Sequence, residues 1–140
     1  MPVRIEIGPR DAANGQVTPV PRTDRSAKES VATGAVVERV QALLAEIQQT
    51  LYDQALAFRQ SRTYQAADYA TFRELMADKS KQGFVEAWWC GDGACEAEVK
   101  AETQATIRNL PLKHPEQPAD AVCVHCGKPA AAWAIFARAY

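Results

Sequence analysis

No apolar run in this 140-residue sequence approaches the roughly 20 residues that a bilayer-spanning helix requires. The N-terminus also lacks the basic-then-apolar layout of a secretory signal. Both absences set membrane insertion and export aside and predict a cytoplasmic, reducing setting. There is almost no net charge, formally -1, which argues against a general nucleic-acid binder of the strongly basic kind. No internal repeat or low-complexity tract is present. Histidine occurs twice, and no cysteine stands alone, since all four fall into two close pairs.

What is present is ordered along the chain. The length suits one domain or two small pieces. In residues 1–28, Arg4, Arg10, Arg22, Arg25 and Lys28 stand against Glu6, Asp11 and Asp24, whereas the remainder is acidic on balance. Any phosphate contact is therefore expected near the N-terminus. Val3 to Ile7 alternates apolar and charged residues and predicts a half-buried strand. Gly8-Pro9-Arg10-Asp11 reads as the turn that stops it, and Asn14-Gly15 as a second turn signal. Gln16 to Val20 is expected to run back as another strand, with Pro19 and Pro21 suited to a sheet edge. Two strands cannot stand alone, so this segment reads as the edge of a larger sheet. Residues 22–33 read as loop.

From Val36 the period becomes helical, with Val36, Val37, Val40, Leu43, Leu44, Ile47, Leu51, Ala55 and Phe58 on one stripe. A second, shorter helix is predicted after Asp68 as its cap, with Tyr69, Phe72, Leu75 and Met76 facing inward. Phe84 to Trp89 reads as a strand leading into Cys90. A short acidic helix is expected from Cys95 to about Glu102, then strands over 105–110 and 131–140.

The cysteine spacings are Cys90-x4-Cys95 and Cys123-x2-Cys126. In a reducing compartment such pairs point to a metal rather than to disulfides. Zinc takes four thiolates in a tetrahedron, so each pair must fold back on itself within a few residues. Gly91, Asp92 and Gly93 permit that reversal in the first pair, and Gly127 and Pro129 in the second. Two disulfides in an exported chain, or four inert buried thiols, are the alternatives. A catalytic zinc is disfavoured because four thiolates leave no position for water. His125, between two ligands, could substitute for one of them, but both it and His114 read as exposed loop residues. A redox role for Cys123-x2-Cys126 lacks the helix start that lowers a thiol pKa.

Three stretches together resemble the C-terminal region of the proline–tRNA ligases of archaeal/eukaryotic type. They are Pro2 to Asp11, Leu43 through Phe58 and Arg59, and the set Gly83 to Cys95, Glu102 to Arg108, Cys123 to Lys128 and Phe136 to Tyr140. The resemblance covers nearly the whole chain. It implies that Cys90, Cys95, Cys123 and Cys126 are structural zinc ligands. It implies that Arg10 and Asp11 approach the tRNA anticodon, where a guanidinium and a carboxylate can read opposite edges of an unstacked base. Capping of a turn is the plainer role for the same two residues. Tyr140 is similar to the end of a family tail that folds back toward the catalytic domain; an exposed strand end is its plainer role.

The expected fold class is therefore α+β. Residues 1–33 form a small sheet remnant of an anticodon-binding domain, 34–80 connecting helices, and 81–140 a zinc-binding C-terminal domain. A class II core that grips ATP and proline would need length and segments that this chain does not have. The resemblance thus implies a homodimeric parent that joins proline to tRNA-Pro with ATP and magnesium, and an isolated chain without aminoacylation activity. Its partners would be tRNA-Pro and the rest of the synthetase, with no membrane. The alternative reading is a free-standing zinc module that binds nucleic acid or protein.

Overall fold

A computed structural model describes residues 1–139. Tyr140, and with it the expected contact of the C-terminal tail, lies outside the described residues. The chain divides into two compact units, Met1–Phe58 and the remainder from Arg59 on. Secondary structure is mixed, with two small sheets and one long helix. No helix among the described residues is long and apolar enough to cross a membrane.

In the first unit, strand β1 (Val3–Glu6) pairs antiparallel with β2 (Gln16–Pro21), which pairs antiparallel with the two-residue β3 (Val31–Ala32). The segment read as loop thus supplies a third strand. The Gly8-Pro9-Arg10-Asp11 segment is not a simple turn either, since Pro9–Ala13 forms a short helix, α1. Proline suits its first position because no N–H is needed there, and the Asp11 carboxylate accepts the Gly8 N–H at 2.9 Å. Pro19 and Pro21 lie beyond the stretch of β2 that touches β3, so one side of the strand needs no donor there.

Helix α2 (Val36–Ser61) follows, as its period predicts. Its stripe is less buried than expected. Leu43 and Ile47 are inside, whereas Val37, Leu44 and Phe58 are exposed. The three-stranded sheet is too small to cover an apolar face that runs the helix's whole length.

In the second unit the sheet order is β4 (Thr63–Gln65), β5 (Phe84–Trp89), β7 (Ala132–Arg138), β6 (Ala105–Asn109). The β4–β5 pair is parallel and the other pairs are antiparallel. Helix α3 (Tyr69–Ala77) is capped by Asp68, whose carboxylate accepts the Thr71 N–H at 2.8 Å. Phe72 and Met76 are buried, with Tyr69 and Leu75 packed partly against the core. Helix α4 (Gly93–Thr103) starts two residues earlier than expected, because Asp92 caps it through the Ala94 N–H. The core joins Phe72, Val85, Ala87, Val99, Ala134 and Phe136, and the rings of Phe72 and Phe136 meet edge to face at 5.1 Å.

Candidate metal centre

Two backbone reversals bring the cysteines together at the end of β5. The first begins at Cys90, directly after the strand, and turns through Gly91 at φ +84°. A side chain on that residue would be strained in the left-handed region and would meet Ala131 Cβ at 3.3 Å. The chain then enters α4, so Cys95 sits in the first turn of a helix rather than in a loop. The second reversal runs from Cys123 to Lys128. The Gly127 N–H donates to the Cys123 carbonyl at 3.0 Å, and the Cys123 N–H donates to the Lys128 carbonyl at 2.8 Å. Gly127 has φ +69°, as the tight turn requires. This hairpin is held to β5 by Val124 N–H on the Trp88 carbonyl and Ala131 N–H on the Trp89 carbonyl.

The sulfurs of Cys90, Cys95, Cys123 and Cys126 all lie within 4.8 Å of one another. Cys95 and Cys123 are 3.7 Å apart, and Cys126 and Cys90 are 3.6 Å apart. Four sulfurs at about 2.3 Å from one ion in a tetrahedron are separated by about 3.8 Å. The cluster therefore has the size and donor set that such an ion needs, and all four cysteines are free thiols. Cys95 and Cys123 are buried, Cys90 is half-buried and Cys126 is exposed.

The surroundings treat the four thiols differently. Burial pushes the Cys95 thiol up strongly, and the neighbouring thiols add to it. Burial also raises Cys90, although the Asp92 N–H opposes it. At Cys123 burial is outweighed by the N–H groups of Cys126, His125 and Cys90, and the thiol comes down to about 7. Amides that converge on a sulfur favour its anionic form, which is the form that binds metal.

His125 is not the exposed loop residue that its position in the sequence suggests. Its side chain is 13% exposed, and Nδ1 lies 3.2 Å from Cys95 Sγ. Sequence spacing could not reveal this, because it depends on α4 bringing Cys95 across from the hairpin. His114 is exposed as expected, its ring 6.1 Å from that of Trp88. Arg10 and Asp11 lie in the other unit, on α1. Asp11 is half-buried and occupied by the Gly8 N–H, whereas Arg10 is exposed and has no ion pair among the described residues.

The profile of the family described as "Prolyl-tRNA synthetase, C-terminal" matches residues 71–140. Along its whole length the chain is also similar to proteins named proline–tRNA ligase. It is 45% identical over 147 residues to that of Symbiobacterium thermophilum, of which it covers 29%. It is 40% identical over 140 residues to that of Lachnospira eligens, of which it covers 28%. It is 43% identical over 143 residues to that of Chloroflexus aggregans, again covering 28%. The chain thus spans under a third of the length of the relatives it matches.

Proposed function

The chain belongs to the prolyl-tRNA synthetase C-terminal family, and from that membership we propose that it is the zinc-holding, anticodon-supporting portion of a proline–tRNA ligase. The observation that carries the zinc is the four-sulfur cluster at the end of β5. Cys90, Cys95, Cys123 and Cys126 would hold one ion with all positions filled. Zinc so bound supplies no activated water. Its role is to tie α4 to the 123–128 hairpin, adding to the backbone hydrogen bonds that hold the hairpin to β5.

Arg10 is the candidate for a contact with tRNA. It lies exposed on a short helix in the more basic end of the chain and has no ion pair among the described residues. Asp11 is better suited to capping that helix, although its second oxygen remains able to accept from a base edge. Proline activation with ATP and magnesium, and dimerisation, belong in this reading to the rest of the parent. The chain alone should then show no proline-dependent pyrophosphate exchange.

Two measurements test the proposal. Elemental analysis of the purified chain should give one zinc per polypeptide, and a zinc-free, fully folded chain would end the structural role. The chain should also bind tRNA-Pro, with Arg10→Ala weakening it by about tenfold, the order of one base contact. Equal binding by the variant would remove Arg10 from the interface.

A further inference from the structure

Cys95 differs from its partners in how its sulfur is surrounded. It is 4% exposed, and its hydrogen-bonding neighbours are another thiol, Cys123 at 3.7 Å, and one ring nitrogen, His125 Nδ1 at 3.2 Å. Near Cys90 and Cys123, by contrast, backbone N–H groups favour the thiolate. Four thiolates on a divalent cation leave the site with a surplus of negative charge, and each N–H aimed at a sulfur disperses part of it. At Cys95 that task falls to a side chain.

The imidazole is held from several directions. Tyr69 meets it edge to face with centroids 4.7 Å apart, and the Tyr69 hydroxyl donates to Glu102 at 2.9 Å. Glu98 Oε2 is 3.7 Å from the same Nδ1, farther than the sulfur and on a side chain that is 67% exposed. The nitrogen is not among the atoms that lie mutually within 4.8 Å, so it stands beside the four-sulfur set rather than in it.

We propose that His125 is a positioning residue of the metal centre, its Nδ1–H donating to Cys95 Sγ and holding that thiolate on the ion. The proposal rests on the zinc reading above. It places a ring proton on Nδ1, where it serves the sulfur whichever group Nε2 faces. It also gives α3 a part in the centre, because Tyr69 limits how the ring can turn.

The test compares the wild-type chain with His125→Asn, His125→Gln and His125→Leu, each loaded with zinc and separately with cobalt(II). The asparagine amide N–H falls near the place of Nδ1, the glutamine amide reaches toward Nε2, and leucine donates nothing. Zinc transfer to a competing chromophoric chelator and the sulfur-to-cobalt charge-transfer band are read for each, with tryptophan emission reporting that the variant is folded. The asparagine variant should stay close to wild type. The glutamine and leucine variants should hold zinc about 10- to 100-fold less tightly, with the band moved to lower energy. If leucine prevents folding, the asparagine–glutamine pair still decides.

Three variants that match the wild type in both readings would overturn the proposal. So would a cobalt spectrum that loses a ligand when His125 is replaced, because the ring would then be bound to the metal itself. A wild-type chain that takes up neither metal would overturn the zinc reading together with this one.

Discussion

The two units bury their apolar side chains to different extents. From Arg59 on, Ala66, Phe72, Met76, Val85, Ala87, Val99, Ala105, Val124, Ala134 and Phe136 close into one cluster. In Met1–Phe58 the buried hydrophobic residues are Val17, Val20, Leu43 and Ile47, while Met1, Ile5, Ile7, Val37, Leu44, Tyr52 and Phe58 are exposed. Both units have strands and a helix with an apolar face. What separates them is closure, since in the second unit two helices cover one sheet face and a four-thiol cluster sits at the end of β5. A regular pattern is therefore enough to make α2, but not enough to bury it.

Metal removal should separate the units most sharply. All three tryptophans, Trp88, Trp89 and Trp133, lie in the second unit, and Trp88 is paired with Trp133 across β5 and β7. A structural zinc contributes an apparent binding free energy of about 10–16 kcal/mol. With a strong chelator, or in Cys126→Ala, tryptophan emission should shift to the red and near-UV dichroism should fall. The helical signal of α2 should largely remain. Unchanged tryptophan emission after complete chelation would mean that the core alone holds the second unit.

The next effect is smaller and contrasts the two kinds of aromatic site. Phe136 is fully buried against Phe72, so Phe136→Ala should cost about 3–5 kcal/mol. Tyr52 is 58% exposed on α2, and Tyr52→Ala should stay within about 0.5 kcal/mol. Urea unfolding of the zinc-loaded chain measures both. A large loss in the tyrosine variant would show that the α2 surface is covered in solution.

The same contrast separates what local sequence patterns encode from what only the fold creates. The long helix, the Asp68 cap, the aromatic strand before Cys90 and the two cysteine pairs all rest on local patterns, and each is found where those patterns place it. Strand β4 has no local signature, because Thr63-Tyr64-Gln65 shows no alternation to mark it. It exists because Gly83 lets the following strand approach Arg62 closely enough for the Phe84 N–H to reach the Arg62 carbonyl at 2.8 Å. The Pro9–Ala13 segment is ambiguous in sequence because proline and aspartate favour both a turn and a helix start, and the Gly8 N–H on Asp11 favours the helix. The burial of His125 is invisible in sequence for a different reason. Its neighbours Cys95 and Tyr69 lie 30 and 56 positions away in sequence, beyond the reach of any local rule.

Glycine substitutions sharpen the comparison at the next level down. A methyl group on Gly83 would lie 2.0 Å from the Arg62 carbonyl oxygen, which is backbone and cannot turn aside. Gly83→Ala should therefore pry β4 from β5 and cost about 1–3 kcal/mol. Gly34, in the first unit, has nothing within 4 Å of such a methyl group, and Gly34→Ala should be nearly neutral. If the two variants unfold alike, the close β4–β5 approach is not needed for stability.

The smallest expected effect is electrostatic and belongs to the first unit. Glu6 accepts from Lys28 at 2.9 Å and pairs with Arg4 at 2.7 Å, linking β1 to the segment before β3. The Lys28 hydrogen bond holds the Glu6 carboxyl below its ordinary value; loss of hydration opposes it, and the charges of Lys28 and Arg4 add to it. A depressed carboxylate contributes stability above its unfolded pKa of roughly 4.3, and that contribution is lost as pH falls through the lower folded value. Glu6→Gln should thus speed amide exchange in β1 slightly near neutral pH, and the difference should fade as acid protonates the Glu6 carboxyl. Salt at about 1 M should erase the neutral-pH difference, because both partners are largely solvated. A difference that persists in acid and in salt would assign the effect to packing of the Glu6 methylenes on the sheet edge instead of to charge.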